Sequence, residues 1–205
     1  MKEIFCIIWV KKTDKAEDMS KYTKQALGES LKKLLSEKPL NKITVTEIVN
    51  DCGLNRMTFY YHFQDIYDLL EWVCVEDAEK ALKGKSSYSN WQDGMYNVLE
   101  LIRENKAFVM HAYHSISRDY LEMYAFRLTD ALFISVIDEL DKDNKLDPDD
   151  KEFIASFYKY AFLGIMMNWV DNDMKEDPKE LIERLSIVVE GDITNAVERF
   201  SERRV

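Results

Sequence analysis

The sequence predicts an all-α protein. Two observations lead there. The 205 residues include only 6 Gly and 3 Pro, so the chain carries few breakers. Apolar residues also recur at helical spacing through long stretches. With 46% hydrophobic residues the chain is long enough for one or two domains and a sizeable core.

The first eighteen residues stand apart. Ile4-Phe5-Cys6-Ile7-Ile8-Trp9-Val10 is a seven-residue apolar run followed by Lys11-Lys12. It is too short for a signal peptide, and no small-residue cleavage site follows. Two readings stay open: an extra segment packed on the body or on a partner, or a start site that belongs at Met19. The second is favoured, which makes residues 1–19 an extension that is not native. Thr23–Glu37 is the first expected helix, with an apolar stripe of Ala26, Leu27, Leu31, Leu34 and Leu35, and Pro39 forbids its continuation.

Thr44–Phe63 reads as two short helices joined by a tight turn. Thr44 is a natural N-cap, and Glu47 three residues on completes a capping box. Val45, Ile48, Val49 and Cys52 form an apolar face. Gly53 stands where a helix ends in the left-handed conformation. Leu54 can plug the angle, and Asn55 can cap the second helix. Phe59 and Phe63 are four apart and face inward together. Arg56, Met57, Thr58, Tyr60, Tyr61 and His62 are left on the outer and flanking surfaces. This is the order of a helix-turn-helix, whose second helix enters the DNA major groove. The bland alternative is a helical hairpin whose aromatics pack under a neighbour.

The string T-F-Y-Y-H-F, preceded by C-G-L-N, resembles the DNA-binding signature of TetR-type bacterial transcriptional regulators, usually written G-[VI]-S-x-x-[TS]-[LF]-Y-x-[HY]-F. The resemblance runs from about Tyr22 to Trp72. It implies a three-helix DNA-binding head over 20–64, an effector-binding and dimerisation body over 65–205, and about nine helices in all. The DNA-facing set is then Thr44, Thr46, Asn55, Arg56, Met57, Thr58, Tyr60, Tyr61 and His62. Two departures matter. Ile66 stands where the family usually has a phosphate-reaching Lys, and Met57 replaces a small residue, which suits a thymine methyl or an unusual operator. The form N-R-x-T-F-Y-Y-H-F-x-D-I-Y-D-L-L, with the tail Gly164-Ile165-Met166-Met167-Asn168-Trp169, looks like the branch of dihydroxyacetone-kinase operon regulators, some of which activate and use a protein co-regulator.

A net charge of −10 looks wrong for a DNA binder. Its distribution is not. Over residues 20–64 the head carries Lys21, Lys24, Lys32, Lys33, Lys38, Lys42 and Arg56 against Glu29, Glu37, Glu47 and Asp51, a net +3; residues 65–205 carry −13. Phosphate senses the local sign within a Debye length of about 10 Å.

Beyond the head, a helix is expected from Asp65 to about Leu82, then a linker at Gly84–Ser89. Helical spacing returns from Trp91, over Phe108–Tyr113 and over Tyr120–Leu140. Asp147-Pro148-Asp149-Asp150 opens the next helix with a cap, a first-turn Pro and acids at the positive end of the dipole. The last expected helix begins near Pro178. Both are apolar on more than one face, which suits a helix buried in its own domain and in a partner. The resemblance implies that these two helices dimerise, with Phe162, Gly164, Ile165, Leu181, Leu185, Val188 and Val189 as candidates. It also implies an effector pocket, for which Met95, Tyr113, Met123, Tyr124, Phe157, Tyr160, Met166 and Trp169 are candidates; the plain reading of such a stripe is core.

His111 and His114 lack a third ligand for zinc. The acidic loop Asp141–Asp147 has Lys145 and Leu146 where calcium needs an oxygen and a Gly. No metal or cofactor is expected. There is no nucleophile motif and no phosphate loop, so an enzyme is not expected. No apolar run reaches about 18 residues, so no membrane span is expected. Cys6, Cys52 and Cys74 form no CxxC pair and suit a reducing cytoplasm. The expected function is a dimeric DNA-binding regulator, a repressor whose grip on a double-stranded operator is modulated by an effector. The alternative is an activator or protein-interaction module working with a protein co-regulator.

Overall fold

The computed structural model describes residues 2–82, 84, 85 and 87–203; side chains are described from Met19 onward, apart from those of residues 119, 124, 127, 128, 130 and 131. The chain divides into two units, Met1–Cys74 and Val75–Val205. Among the described residues there are ten α-helices, one 3-10 turn and no strand.

The first unit contains α1 (Lys2–Glu37), a 3-10 turn at Leu40–Lys42, α2 (Val45–Asp51), α3 (Arg56–His62) and the first half of α4 (Ile66–Leu82). The helix expected to begin at Thr23 is the end of a longer one. No Gly or Pro stands between Lys2 and Gly28 to interrupt it, and the Thr23 hydroxyl donates to the Met19 carbonyl at 2.9 Å, one turn back. How Ile4–Val10 packs lies outside the described residues.

The stripe on α1 faces the core as its spacing requires, with Leu27, Leu31 and Leu35 fully buried. Ile48 and Val49 of α2, Phe59 and Phe63, and Leu69, Leu70 and Val73 of α4 complete that core. The buried Ser30 hydroxyl donates to the Ile48 carbonyl at 3.1 Å, tying α1 to α2. Gly28 lets α4 approach α1: a Cβ there would lie 3.0 Å from Val73 and 3.1 Å from the Trp72 ring. This packing explains why the unit ends at Cys74 rather than at Gln64, where the sequence placed the end of the head. The start of α4 is part of the head's core.

The second unit holds the rest of α4, then α5 (Trp91–Glu104), α6 (Lys106–Tyr113), α7 (Arg118–Leu140), α8 (Pro148–Asp171), α9 (Pro178–Val189) and α10 (Asp192–Glu202). Helices α8 and α9 start alike. Asp147 accepts from the Asp149 N–H and Asp177 from the Lys179 N–H, each with Pro at the first position. Helix α10 is an addition to the sequence reading, which ended at α9. Gly191, at φ +79°, turns the chain between the two. Ile193, Ala196, Val197 and Phe200 then pack inward at helical spacing.

Two apolar clusters fill this unit. One joins Met95 and Leu99 of α5 with Phe162, Trp169 and Val170 of α8 and Leu181, Ile182 and Leu185 of α9. The other joins Ile137 of α7 with Ile154 and Ala155 of α8 and Ile193 and Val197 of α10. Phe162, Leu181 and Leu185, candidates for a dimer surface, therefore lie inside their own core. The apolar stripe of each helix is wider than one face, and these residues occupy its inner side.

Gly94 takes α5 against the preceding loop: a Cβ would sit 2.1 Å from the Lys85 carbonyl oxygen. The exposed Gly164 has nothing within 4 Å of that position, so it serves no close approach inside the chain. Gly94→Ala should therefore lower urea-unfolding stability by about 1–3 kcal/mol through overpacking. Gly164→Ala should raise it by up to about 1 kcal/mol through helix propensity. Urea titrations followed by circular dichroism check both signs.

Candidate nucleic-acid interface

Seven residues make α3, too few to be stable alone, so its caps and its buried face hold it. Asn55 Oδ1 accepts from the Thr58 N–H at 2.8 Å and from the Thr58 hydroxyl at 3.1 Å. Helix α2 has its capping box: Thr44 Oγ1 accepts from the Glu47 N–H at 3.3 Å, and Glu47 accepts from the Thr44 N–H at 2.9 Å. Gly53 between them sits at φ +69°, which a Cβ makes costly. Phe59 is 0% exposed and lies 6.0 Å from Phe63, which lies 5.9 Å from Trp72. These rings fix the rotation of α3 about its axis.

The opposite face is open. Met57 is 84% exposed and Tyr61 83%. Arg56 and Tyr60 are exposed and paired one turn apart, with Arg56 donating to the Tyr60 hydroxyl at 3.4 Å and its guanidinium 5.9 Å from the Tyr60 ring centre. Thr46 is exposed on α2. Thr58 and His62 are half-buried, and the His62 ring meets Tyr61 edge-on at 4.9 Å. Burial, and then the Lys24 ammonium, hold the imidazole below its usual pKa, so His62 is neutral at pH 7. The structure thus gathers Arg56, Met57, Tyr60 and Tyr61 on one exposed surface. Thr44 and Asn55, named with them, use their side-chain oxygens as caps.

The head's positive charge is partly consumed within it. Lys33 pairs with Asp51 and Lys38 with Glu47, and the pKa of each acid is lowered, first by the hydrogen bond from its lysine. Lys32 pairs with Glu29 at 3.3 Å. Among the described residues Lys21, Lys24, Lys42 and Arg56 remain for phosphate. Ile66 begins α4 half-buried. Beside it the Asp65 carboxylate accepts from the Asp68 N–H and Asp68 from the Gln64 N–H, each within 2.9 Å. Two acids thus stand beside the position where a cation is usual.

The second unit holds a cavity of about 460 Å³, walled by residues of α5 and α7–α10. Of the pocket candidates, Met95 and Phe157 line it. Trp169 is buried in the core and donates from Nε1 to the Glu176 carbonyl at 2.9 Å. Met166 and Tyr113 pack against the same cluster, and the Tyr113 hydroxyl donates to Asp171 at 2.7 Å. Met123 and Tyr160 lie at the surface, and the side chain of Tyr124 lies outside the described residues. Phe162, Ile165, Leu185, Val188 and Val189, read as interface, line the cavity too. Among the described residues no group of three His, Cys, Asp or Glu is placed to hold a metal. The acidic loop is a turn in which Asp141 accepts from the Lys145 and Leu146 N–H groups at 2.8 and 3.2 Å.

The fold and this surface define a helix-turn-helix transcriptional regulator. Two family models match the chain: "Bacterial regulatory proteins, tetR family" over residues 29–73 and "Transcriptional regulator C-terminal region" over residues 89–191. The chain belongs to the TetR family, whose members are DNA-binding regulators and not enzymes. It is 24% identical over 144 residues to the HTH-type dhaKLM operon transcriptional activator DhaS of Lactococcus lactis subsp. lactis (strain IL1403), covering 70% of this chain and 76% of that protein. A solved structure of the dihydroxyacetone kinase operon activator DhaS shares the fold at a TM-score of 0.62 and 21% identity, over 87% of this chain and 97% of that one. A TetR transcriptional regulator from Streptococcus agalactiae 2603V shares it at 0.57 and 19%, over 87% and 99%. No described helix is long and apolar enough to cross a membrane.

Arg56→Ala should weaken binding to an operator selected from randomised duplexes by about 1–3 kcal/mol and relax preference at one base pair if the guanidinium reads a base edge. An even loss across sequences would assign it to phosphate instead; fluorescence anisotropy on single-substituted duplexes distinguishes the two. His62 has a second measurable consequence. Its unfolded pKa is about 6.5 and its folded value is lower, so between the two the unfolded chain binds more protons. Stability should fall as pH drops below about 6.5, and His62→Gln should flatten that slope in thermal melts taken from pH 7.5 to 5.

Proposed function

We propose that the protein is a homodimer that binds a double-stranded operator through the α3 face of each head and responds to an effector held in its second unit. The observation that carries this reading is the open surface of Arg56, Met57, Tyr60 and Tyr61 on a helix whose other side is anchored by Phe59. Thr46, Thr58 and His62 flank that surface, with Tyr61 and His62 suited to the backbone. Without the usual Lys at Ile66, phosphate attraction falls to Lys21, Lys24, Lys42 and Arg56, which makes the electrostatic part of binding small and its salt dependence shallow.

Dimerisation is supported by a stripe on α8. Phe153, Phe157 and Tyr160 are each more than 60% exposed, and Ala161, Gly164 and Ile165 continue the line at helical spacing. Ile187 and Val188 of α9 are exposed as well. This set replaces Phe162, Leu181 and Leu185 as the proposed interface, while Gly164, Ile165 and Val188 stay in it. Two heads suit successive major grooves about 34–36 Å apart.

The sign of regulation is a second question. The sequence reading expected repression, but the L. lactis relative is named an operon transcriptional activator. Activation, with a small molecule or a protein co-regulator as the signal, is the reading that relative favours. A reporter driven from the selected operator should gain expression when the protein is present; loss of expression would restore repression.

Gly164→Arg tests the dimer. The position is exposed with open space around it, so the variant should fold with unchanged helicity. An Arg desolvated at the centre of an interface costs several kcal/mol. The variant should sediment as a monomer at micromolar concentration and lose operator affinity by more than about tenfold. A variant that stays dimeric would place the interface elsewhere.

A further inference from the structure

The cavity of the second unit has one polar edge, supplied by α10. Apart from the Tyr158 phenol of α8 its wall is otherwise largely apolar, with Met95, Phe133, Phe162 and Leu185 among its deeper members. Asp192, Asn195 and Arg199 lie at the first, fourth and eighth positions of α10, so they share one face along the rim. Its volume of about 460 Å³ is that of a small-molecule site, far beyond what a water needs. None of these three side chains makes a hydrogen bond or ion pair with another described residue, so their polar atoms are free to meet a ligand. Asp192 lies near the Tyr158 phenol and raises its pKa, after burial. Arg199 stands seven residues further on, about 10 Å along the axis. That distance is about a Debye length, so Asp192 does little to offset the guanidinium.

We infer that this cavity binds an amphipathic monoanion: a carboxylate on a hydrocarbon or aromatic body. The carboxylate takes the Arg199 fork, which matches it in a planar, two-point geometry, and the Asn195 amide. The body fills the space between the two apolar clusters. The assignment rests on the proposed effector reading and gives it a location and a chemical class. The site lies among α5 and α7–α10, and its wall includes neither Tyr113 nor Trp169. Phe157, Ile165 and Val188 belong both to its wall and to the exposed stripe, so the partner protomer roofs it in the dimer.

The test is a calorimetric titration of the full-length protein with decanoate and decyltrimethylammonium below their micelle concentrations and decanol below its solubility limit. Decanoate should bind once per protomer and about tenfold more tightly than decanol, the worth of one charge-assisted hydrogen bond at an exposed rim. Arg199→Gln should erase that preference while decanol binding is unchanged. Arg199 is exposed, so this variant keeps the fold. Ala161→Trp, filling the cavity from its wall, should abolish both. Decanol binding as tightly as decanoate, no binding of any probe, or undiminished binding in Ala161→Trp would each overturn the proposal. So would binding confined to the Gly164→Arg monomer, because the partner's side chains would then fill the space. Decanoate binding that obeys these rules without changing operator affinity supports the site and removes only its role as the effector site.

Discussion

The burial of Phe59 is the constraint on which the head depends. A helix of seven residues has almost no stability of its own. What it presents to solvent is decided by what it hides. Phe59 is fully buried, and Phe63 continues the same side onto Trp72 of α4, with the Lys24 ammonium 5.7 Å above the Phe63 ring. One side chain thus does two jobs. It adds α3 to the core of α1, α2 and α4, and it turns Arg56, Met57, Tyr60 and Tyr61 outward together. Gly28 is part of the same arrangement, since α4 reaches its place only where α1 has no side chain.

Much of this was legible in the sequence because the signals are local. The Thr44 and Asn55 caps, the Gly53 turn and the four-residue spacing of Phe59 and Phe63 all act within one or two helical turns. The starts of α8 and α9 were legible for the same reason, from Asp-Pro pairs. What escaped was long-range. Lys33 and Asp51 are eighteen residues apart, and Lys38 and Glu47 nine apart, so the head's cations counted as free when several are paired. Helices α8 and α9 are apolar on more than one side, and periodicity cannot say which side faces the chain's own core. Phe162 and Leu185 proved to face inward while Phe153, Phe157 and Tyr160 face out. Helix α10 did carry a signal, Gly191 followed by Ile193, Ala196, Val197 and Phe200, and it could have been read.

The surface pairs carry little of the stability. The head's ion pairs are exposed or, for Lys38–Glu47, half-exposed, and surface pairs contribute about 0–1 kcal/mol each. Their effect is on charge: they leave Arg56 and three lysines for phosphate in a protein that is acidic overall. A head with so few cations has little electrostatic hold on DNA, and the proposed function therefore assigns the rest to base contacts and a second head. In the proposed function Met57, the most exposed large side chain of α3, serves selectivity, while Tyr61 serves the backbone.

The proposed function has two linked parts: α3 reads sequence, and two copies read it together. Selection of duplexes from a randomised pool by the purified protein, at moderate salt, tests both at once. The predicted result is an enriched inverted repeat whose half-sites are centred about one helical turn apart. A pool with no enriched sequence, or an enriched site without two-fold symmetry, would contradict it.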